Sequence, residues 1–162
     1  YDTTRAIAAI READEKADVV VVYMHWGLER KDHPEPYQRE MGRAFIDAGA
    51  DLVVGCHPHV LQGFEPYKDR WIAYSLGNFV FTTAGYSKTQ ETGVLMAECK
   101  KGGECSLRFH PMFADKFQPV PMEPEAARRL LERLDSVSYG AAVGPDGVIA
   151  ASEEAGDGAD SA

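Results

Sequence analysis

The chain has 162 residues, 44% hydrophobic and 27% charged, with a formal net charge of −9. That length holds one ordinary domain with a real core. The negative balance excludes a nucleic-acid partner, because phosphate binding wants a basic face. No apolar run reaches the ~20 residues of a membrane span.

The opening YDTTRAIAAI lacks the basic flank and apolar core of a secretory leader. A chain starting at tyrosine is expected of a fragment or a processed form. TTRAIAAIREADEKA places Ala6, Ile7 and Ile10 between charges. The spacing predicts an amphipathic helix capped by Thr3 or Thr4. ADVVVVYMH follows, and its four valines predict a strand buried on both faces, as in a parallel sheet. GLERKDHPEP is polar and proline-bearing, hence a loop. PYQREMGRAFIDAGA puts Tyr37, Met41, Ala44, Phe45 and Ala48 on one helical face, with Gly49 to end the helix. DLVVG is a second short buried strand.

Strand, helix and strand in this order predict a right-handed parallel crossover. His25 ends the first strand, and His57 and His59 lie just past the second. Parallel strands bring those ends to one sheet edge, where open α/β sheets build their sites. Segments about thirty residues apart therefore meet.

Downstream, GFEPYKDRWIAYSL reads as two strands turning at Lys68–Asp69–Arg70. ETGVLMAECKKGGECSLRFHPM reads as a hairpin turning on Gly102–Gly103. Cys99 and Cys105 bracket its tip. A cross-strand disulfide is sterically feasible there, and two free thiols are the plainer expectation. EPEAARRLLERLDSV is a helix with Ala127, Leu130, Leu131 and Leu134 as its apolar stripe. Its arginines, Arg128, Arg129 and Arg133, read as a solvated face. Residues 1–149 are read as the domain and the small, acidic stretch from Ala150 as a disordered tail.

His25 with His57-x-His59 carries the chemistry. Neutral imidazole ligates zinc, iron, manganese or nickel. In an extended chain His57 and His59 point the same way, and Pro58 stiffens their loop. Three histidines can hold one catalytic zinc, or half of a two-metal site. The plainer alternative is a satisfied core histidine and two loop histidines. Trp26 is either a wall of a substrate pocket or strand-end packing. Glu29 either orients His25 or is a solvated acid. Asn78 either offers its amide to substrate or is a turn residue. Cys56 is expected to pack, and His33 and His110 to lie at the surface.

Four blocks stand in order: HWGLE at His25–Glu29, IDAGAD at Ile46–Asp51, GCHPH at Gly55–His59 and YSLGNF at Tyr74–Phe79. Over roughly residues 17 to 82 the chain resembles the C-terminal half of the CapA/PgsA family. These are bacterial capsule-synthesis, poly-γ-glutamate-associated proteins of the calcineurin-like metallophosphoesterase superfamily. The resemblance implies the C-terminal part of a four-layer α/β/β/α sandwich, with a βαβ unit followed by antiparallel hairpins. It implies two divalent metal ions (Mn, Fe or Zn) clamping a phosphoester or capsular-polymer-related substrate. His25 and His57 would ligate one metal and His59 the other. It also implies a cell-envelope or extracytoplasmic location.

The chain departs from that pattern. The superfamily's D-x-H and G-N-H motifs are missing, and GDGAD at Gly156–Asp160 falls after the histidines rather than before them. The chain is thus expected to start midway through the domain, with half the metal ligands. Two functions remain open: a metal-dependent hydrolase completed by the missing half, and a non-catalytic role in capsular polymer assembly. A sheet edge left open predicts self-association.

Overall fold

The computed structural model describes residues 2–81 and 87–152. Helix α1 spans Thr3–Asp14. Its cap is Asp2, whose carboxylate accepts the Arg5 amide at 3.1 Å, so neither predicted threonine serves. Strand β1 (Val21–His25), helix α2 (Pro36–Asp47) and strand β2 (Leu52–Cys56) form the expected unit. β1 and β2 are parallel, with Val21 opposite Leu52 and His25 opposite Cys56. β3 (Phe64–Tyr67) and β4 (Arg70–Ala73) make a hairpin. Its turn residues Lys68 and Asp69 take φ of 50° and 60°, as a two-residue turn of the primed type requires. The first sheet runs β1-β2-β4-β3.

The second sheet is antiparallel. β5 (Glu91–Cys99) and β6 (Cys105–Asp115) are the hairpin predicted around Gly102–Gly103. Three short strands were not legible in the sequence: β7 (Gln118–Pro121), β8 (Ala141–Val143) and β9 (Val148–Ala151). β9 pairs with β6 and β8, so Ala150 and Ala151 belong to the fold and not to a tail. Residues 153–162, including Gly156–Asp160, lie outside the described residues. Helix α3 spans Pro124–Ser136.

Two cores hold these layers. One, between the first sheet and the helices α1 and α2, contains Ile10, Trp26, Phe45, Ile46, Val53, Ile72 and Tyr74. The other lies between the sheets: Leu52, Val54, Phe64 and Trp71 meet Leu107, Phe109, Val143 and Ile149. Leu130, Leu131 and Leu134 of α3 join it. The result is a mixed α/β fold with two sheets, consistent with α/β/β/α layering.

Two expectations hold only in part, for physical reasons. On α2 Phe45 and Ala48 of the predicted stripe are buried and Met41 packs on the same core, but Tyr37 is exposed, and Gln38, Gly42 and Ile46 are buried as well. Gln38 is buried because its side chain accepts the Glu35 amide at 2.8 Å. Gly42 is buried because Ile72 and Trp26 lie against it, with Ile72 3.1 Å from where a Cβ would sit. β1 is not covered on both faces. Val22 and Met24 pack toward the helices, but Val21 and Tyr23 face the other way and are 55% and 69% exposed. They share a face with Leu52 and Val54, which the second sheet covers. That sheet stops short of β1.

Candidate metal centre

The register of β1 on β2 puts His25 opposite Cys56, and the chain after β2 brings two more imidazoles to the same edge. The His25 and His57 ring centroids are 4.5 Å apart, and those of His57 and His59 6.0 Å. Two imidazoles sharing one ion at the ~2 Å ligand distance of zinc keep their centroids about 5 Å apart. The first pair matches that spacing and the second is wider.

The backbone here is unlike the extended chain expected from the sequence. His57 has φ of 97° and His59 of 60°, the left-handed region that disfavours residues with a Cβ. Pro58, locked near φ −65°, separates two reversals. The three histidine rings therefore converge through a strained loop, not through strand alternation. Replacing His57 with glycine relieves that strain, and we expect unfolding free energy to rise by about 1 kcal/mol. Denaturant unfolding checks this; unchanged or lowered stability would remove the strain argument.

Asn78 fixes one ring. Its amide nitrogen donates to the Thr89 carbonyl at 3.0 Å, which turns its oxygen toward His59 Nδ1 at 2.7 Å. An acceptor at that position requires the proton on Nδ1 and leaves the Nε2 lone pair open, the orientation a ligating histidine has. Phe81 stacks on the His59 ring, with centroids 5.5 Å apart. Cys56 Sγ lies 3.5 Å from His25 Nδ1. Its hydrogen bond to Tyr23, followed by burial, holds the Tyr23 phenol above its ordinary pKa.

Trp26 is wholly buried; its indole donates to the Tyr74 carbonyl at 2.9 Å and stacks on the Tyr74 ring. Glu29 is exposed in the following turn. Three carboxylates of the surrounding segments are ion-paired: Asp32 to Lys88, Asp51 to Arg70, Glu65 to Arg39 and Arg43. Among the described residues, no group of three or more His, Cys, Asp or Glu side chains is disposed to hold a metal ion. The His25–His57 pair is spaced as two ligands of one ion would be; a two-metal centre needs in addition a bridging carboxylate against the repulsion of its cations.

Comparison with known proteins supplies the family. The chain is 40% identical over 123 residues to the PGA biosynthesis protein CapA of Bacillus subtilis (strain 168), covering 76% of this chain and 32% of that protein. It is 42% identical over 106 residues to the capsule biosynthesis protein CapA of Bacillus anthracis, covering 65% of this chain and 26% of that protein. The matches therefore span a third or less of these relatives' length. The family model described as bacterial capsule synthesis protein PGA_cap matches residues 1–83, which hold all four sequence blocks and the candidate ligands His25, His57 and His59. The chain belongs to the bacterial capsule synthesis PGA_cap family.

Proposed function

We propose that this chain serves capsular polymer biosynthesis as a non-catalytic assembly component. The observation that carries this reading is the donor set at the sheet edge: imidazoles without a carboxylate beside them. The relatives' names, PGA biosynthesis and capsule biosynthesis, support the polymer. The disulfide between Cys99 and Cys105 supports an oxidising, extracytoplasmic setting. No helix among the described residues is long and apolar enough to cross a membrane.

The test is metal content and turnover. Protein purified without a histidine tag is expected to retain less than one equivalent of Mn, Fe or Zn by elemental analysis, and to leave a generic phosphodiester intact. A full equivalent of bound metal, together with hydrolysis lost in both His57→Ala and His59→Ala, overturns this reading. That result would favour the second one, a metallophosphoesterase-like hydrolase in the four-layer sandwich, whose support is the strained loop and the His59 tautomer set by Asn78.

An assembly component needs a contact surface, and β1 offers one. It is an edge strand with Val21 and Tyr23 exposed, the kind of edge that pairs with another strand. We expect concentration-dependent association by light scattering, and a several-fold smaller associated fraction in Tyr23→Lys, since edge lysines block pairing. A wild-type chain that stays monomeric at every concentration contradicts this.

A further inference from the structure

The loop between β1 and α2 runs beside the histidines and carries an acid on a rigid mount. The carbonyls on either side of Asp32, those of Lys31 and His33, both accept the Gln62 side-chain amide, at 2.9 and 3.1 Å. Gln62 is itself buried. The same loop grips the chain between two of the imidazoles: the Arg30 amide donates to the Pro58 carbonyl at 2.7 Å. Pro58 is buried, while His57 and His59 on either side of it are half-buried.

The partner of Asp32 comes from the approach to the other sheet. Its Oδ2 accepts Lys88 Nζ, from the single turn Ser87–Thr89 that leads into β5. The next residue, Thr89, is wholly buried, and its carbonyl receives the Asn78 amide that sets the His59 ring. The contacts form a closed circuit. From His59 it passes along the chain to Pro58, across to Arg30, along to Asp32, across to Lys88, along to Thr89, and back through Asn78 to His59. Every crossing but one is a hydrogen bond to a backbone carbonyl or an amide oxygen. The exception is the ion pair.

That pair is the weak crossing. Both side chains are partly open to water, which screens their attraction. Among the described residues, one buried side-chain polar atom lacks a hydrogen-bond partner, and it is Asp32 Oδ1. Closure leaves that oxygen dry and unpaired, and its lost hydration opposes the attraction of Oδ2 for Lys88. We propose that the β1–α2 loop is a strap across the loop of residues 57–59, latched by Asp32 to Lys88, and that the latch holds the His59 ring on Asn78. Closed, it keeps the Thr89 carbonyl and the Pro58 carbonyl at fixed separation, with Asn78 and His59 between them. Open, the turn and the strap part, and His59 leaves Asn78 more often. Asp32 and Lys88 are thus positioning residues that act on His59 through Asn78.

This inference is independent of the capsule-synthesis reading. The experiment follows the His59 Nδ1–H proton and the Arg30 amide by NMR in the 162-residue chain, with the thermal midpoint measured alongside. In Lys88→Gln both protons are expected to exchange with water about ten-fold faster. The thermal midpoint should stay unchanged, since a partly exposed pair adds little to global stability. Lys88→Arg keeps the charge and is expected to restore slow exchange. Asp32→Asn should match Lys88→Gln, and the double variant should be no faster than either single, because both remove the same link. Should a variant fail to fold, the wild-type chain at 1 M salt, where charges are screened beyond about 3 Å, supplies the same reading. Exchange at His59 that is unmoved by the substitutions or by salt overturns the proposal. So do additive effects in the double variant, or equal acceleration along the β5–β6 ladder, which would mark general loosening.

Discussion

Gly55→Ala is expected to destabilise the protein by about 3 kcal/mol or more, the largest effect of any single methyl group at the histidine edge. An added Cβ would sit 2.0 Å from the Tyr74 carbonyl oxygen and 2.2 Å from the Trp26 indole nitrogen. Those two atoms are hydrogen-bonded to each other. Trp26 follows β1, Gly55 lies on β2 and Tyr74 follows β4, and these strands are neighbours in that order. The indole therefore reaches across β2, over the one residue without a side chain, and ties the ends of three parallel strands together. A methyl group there severs the tie and leaves a buried N–H without a partner, itself a cost of about 1–3 kcal/mol.

The same substitution separates two explanations of the strain. If the clash were with the indole alone, Trp26→Phe would relieve it, and the double variant would be more stable than the sum of the singles predicts. The Tyr74 carbonyl belongs to the backbone and cannot swing away. Most of the penalty is thus expected to survive in the double variant. Denaturant unfolding gives the energies, and the ring signals of His25 and His57 report whether their edge has shifted. A Gly55→Ala protein within about 1 kcal/mol of wild type would show that the strand ends yield freely.

Gly55 also shows what the sequence reading could reach. The GCHPH block was legible as a unit, and the strand–helix–strand order placed His25 and His57 on one edge, because parallel register depends on chain direction and hydrophobic runs. What the glycine was for could not be read, since the indole that crosses it comes from residue 26 on another strand. The direction of His57 and His59 escaped for a related reason: the sign of φ at a loop residue is imposed by the surrounding fold. The α2 stripe is incomplete in the sequence because Gln38 and Gly42 are buried for a hydrogen bond and for close approach, and an apolar pattern counts neither. β8 and β9 have three and four residues, too few for alternation to stand out from a glycine-rich stretch.

Reduction of the Cys99–Cys105 disulfide is expected to lower the unfolding free energy by about 2 kcal/mol, the chain-entropy value for so short a loop. The sequence left this bond open and two thiols as the plainer reading. The structure forms the bond, because Cys99 and Cys105 are direct partners at the last pair of the β5–β6 ladder. The consequences reach beyond the hairpin. Gly102 accepts a hydrogen bond from Arg70 at 2.5 Å. Gly103 sits so close over Asp51 that an added Cβ would lie 1.5 Å from its carboxylate oxygen. Asp51 in turn accepts the Val20 amide at 2.8 Å and Arg70 Nε at 2.8 Å, and the Trp71 indole donates to the Cys105 carbonyl at 3.0 Å. The hairpin tip is therefore where the second sheet grips the first, at the start of the strand that leads to the histidines.

A tip freed by reductant should loosen that grip before the sheets themselves open. Hydrogen exchange is expected to speed first at the Val20 amide and the Trp71 indole, with the β5–β6 ladder still protected. The double variant Cys99→Ser/Cys105→Ser should reproduce the loss and no longer respond to reductant, which excludes an effect through Cys56. Equal stability and equal exchange with and without reductant would mean that Asp51 and Arg70 hold the sheets together unaided. Asp51 closes the IDAGAD block, and in the structure that acid acts as the fastening between two sheets.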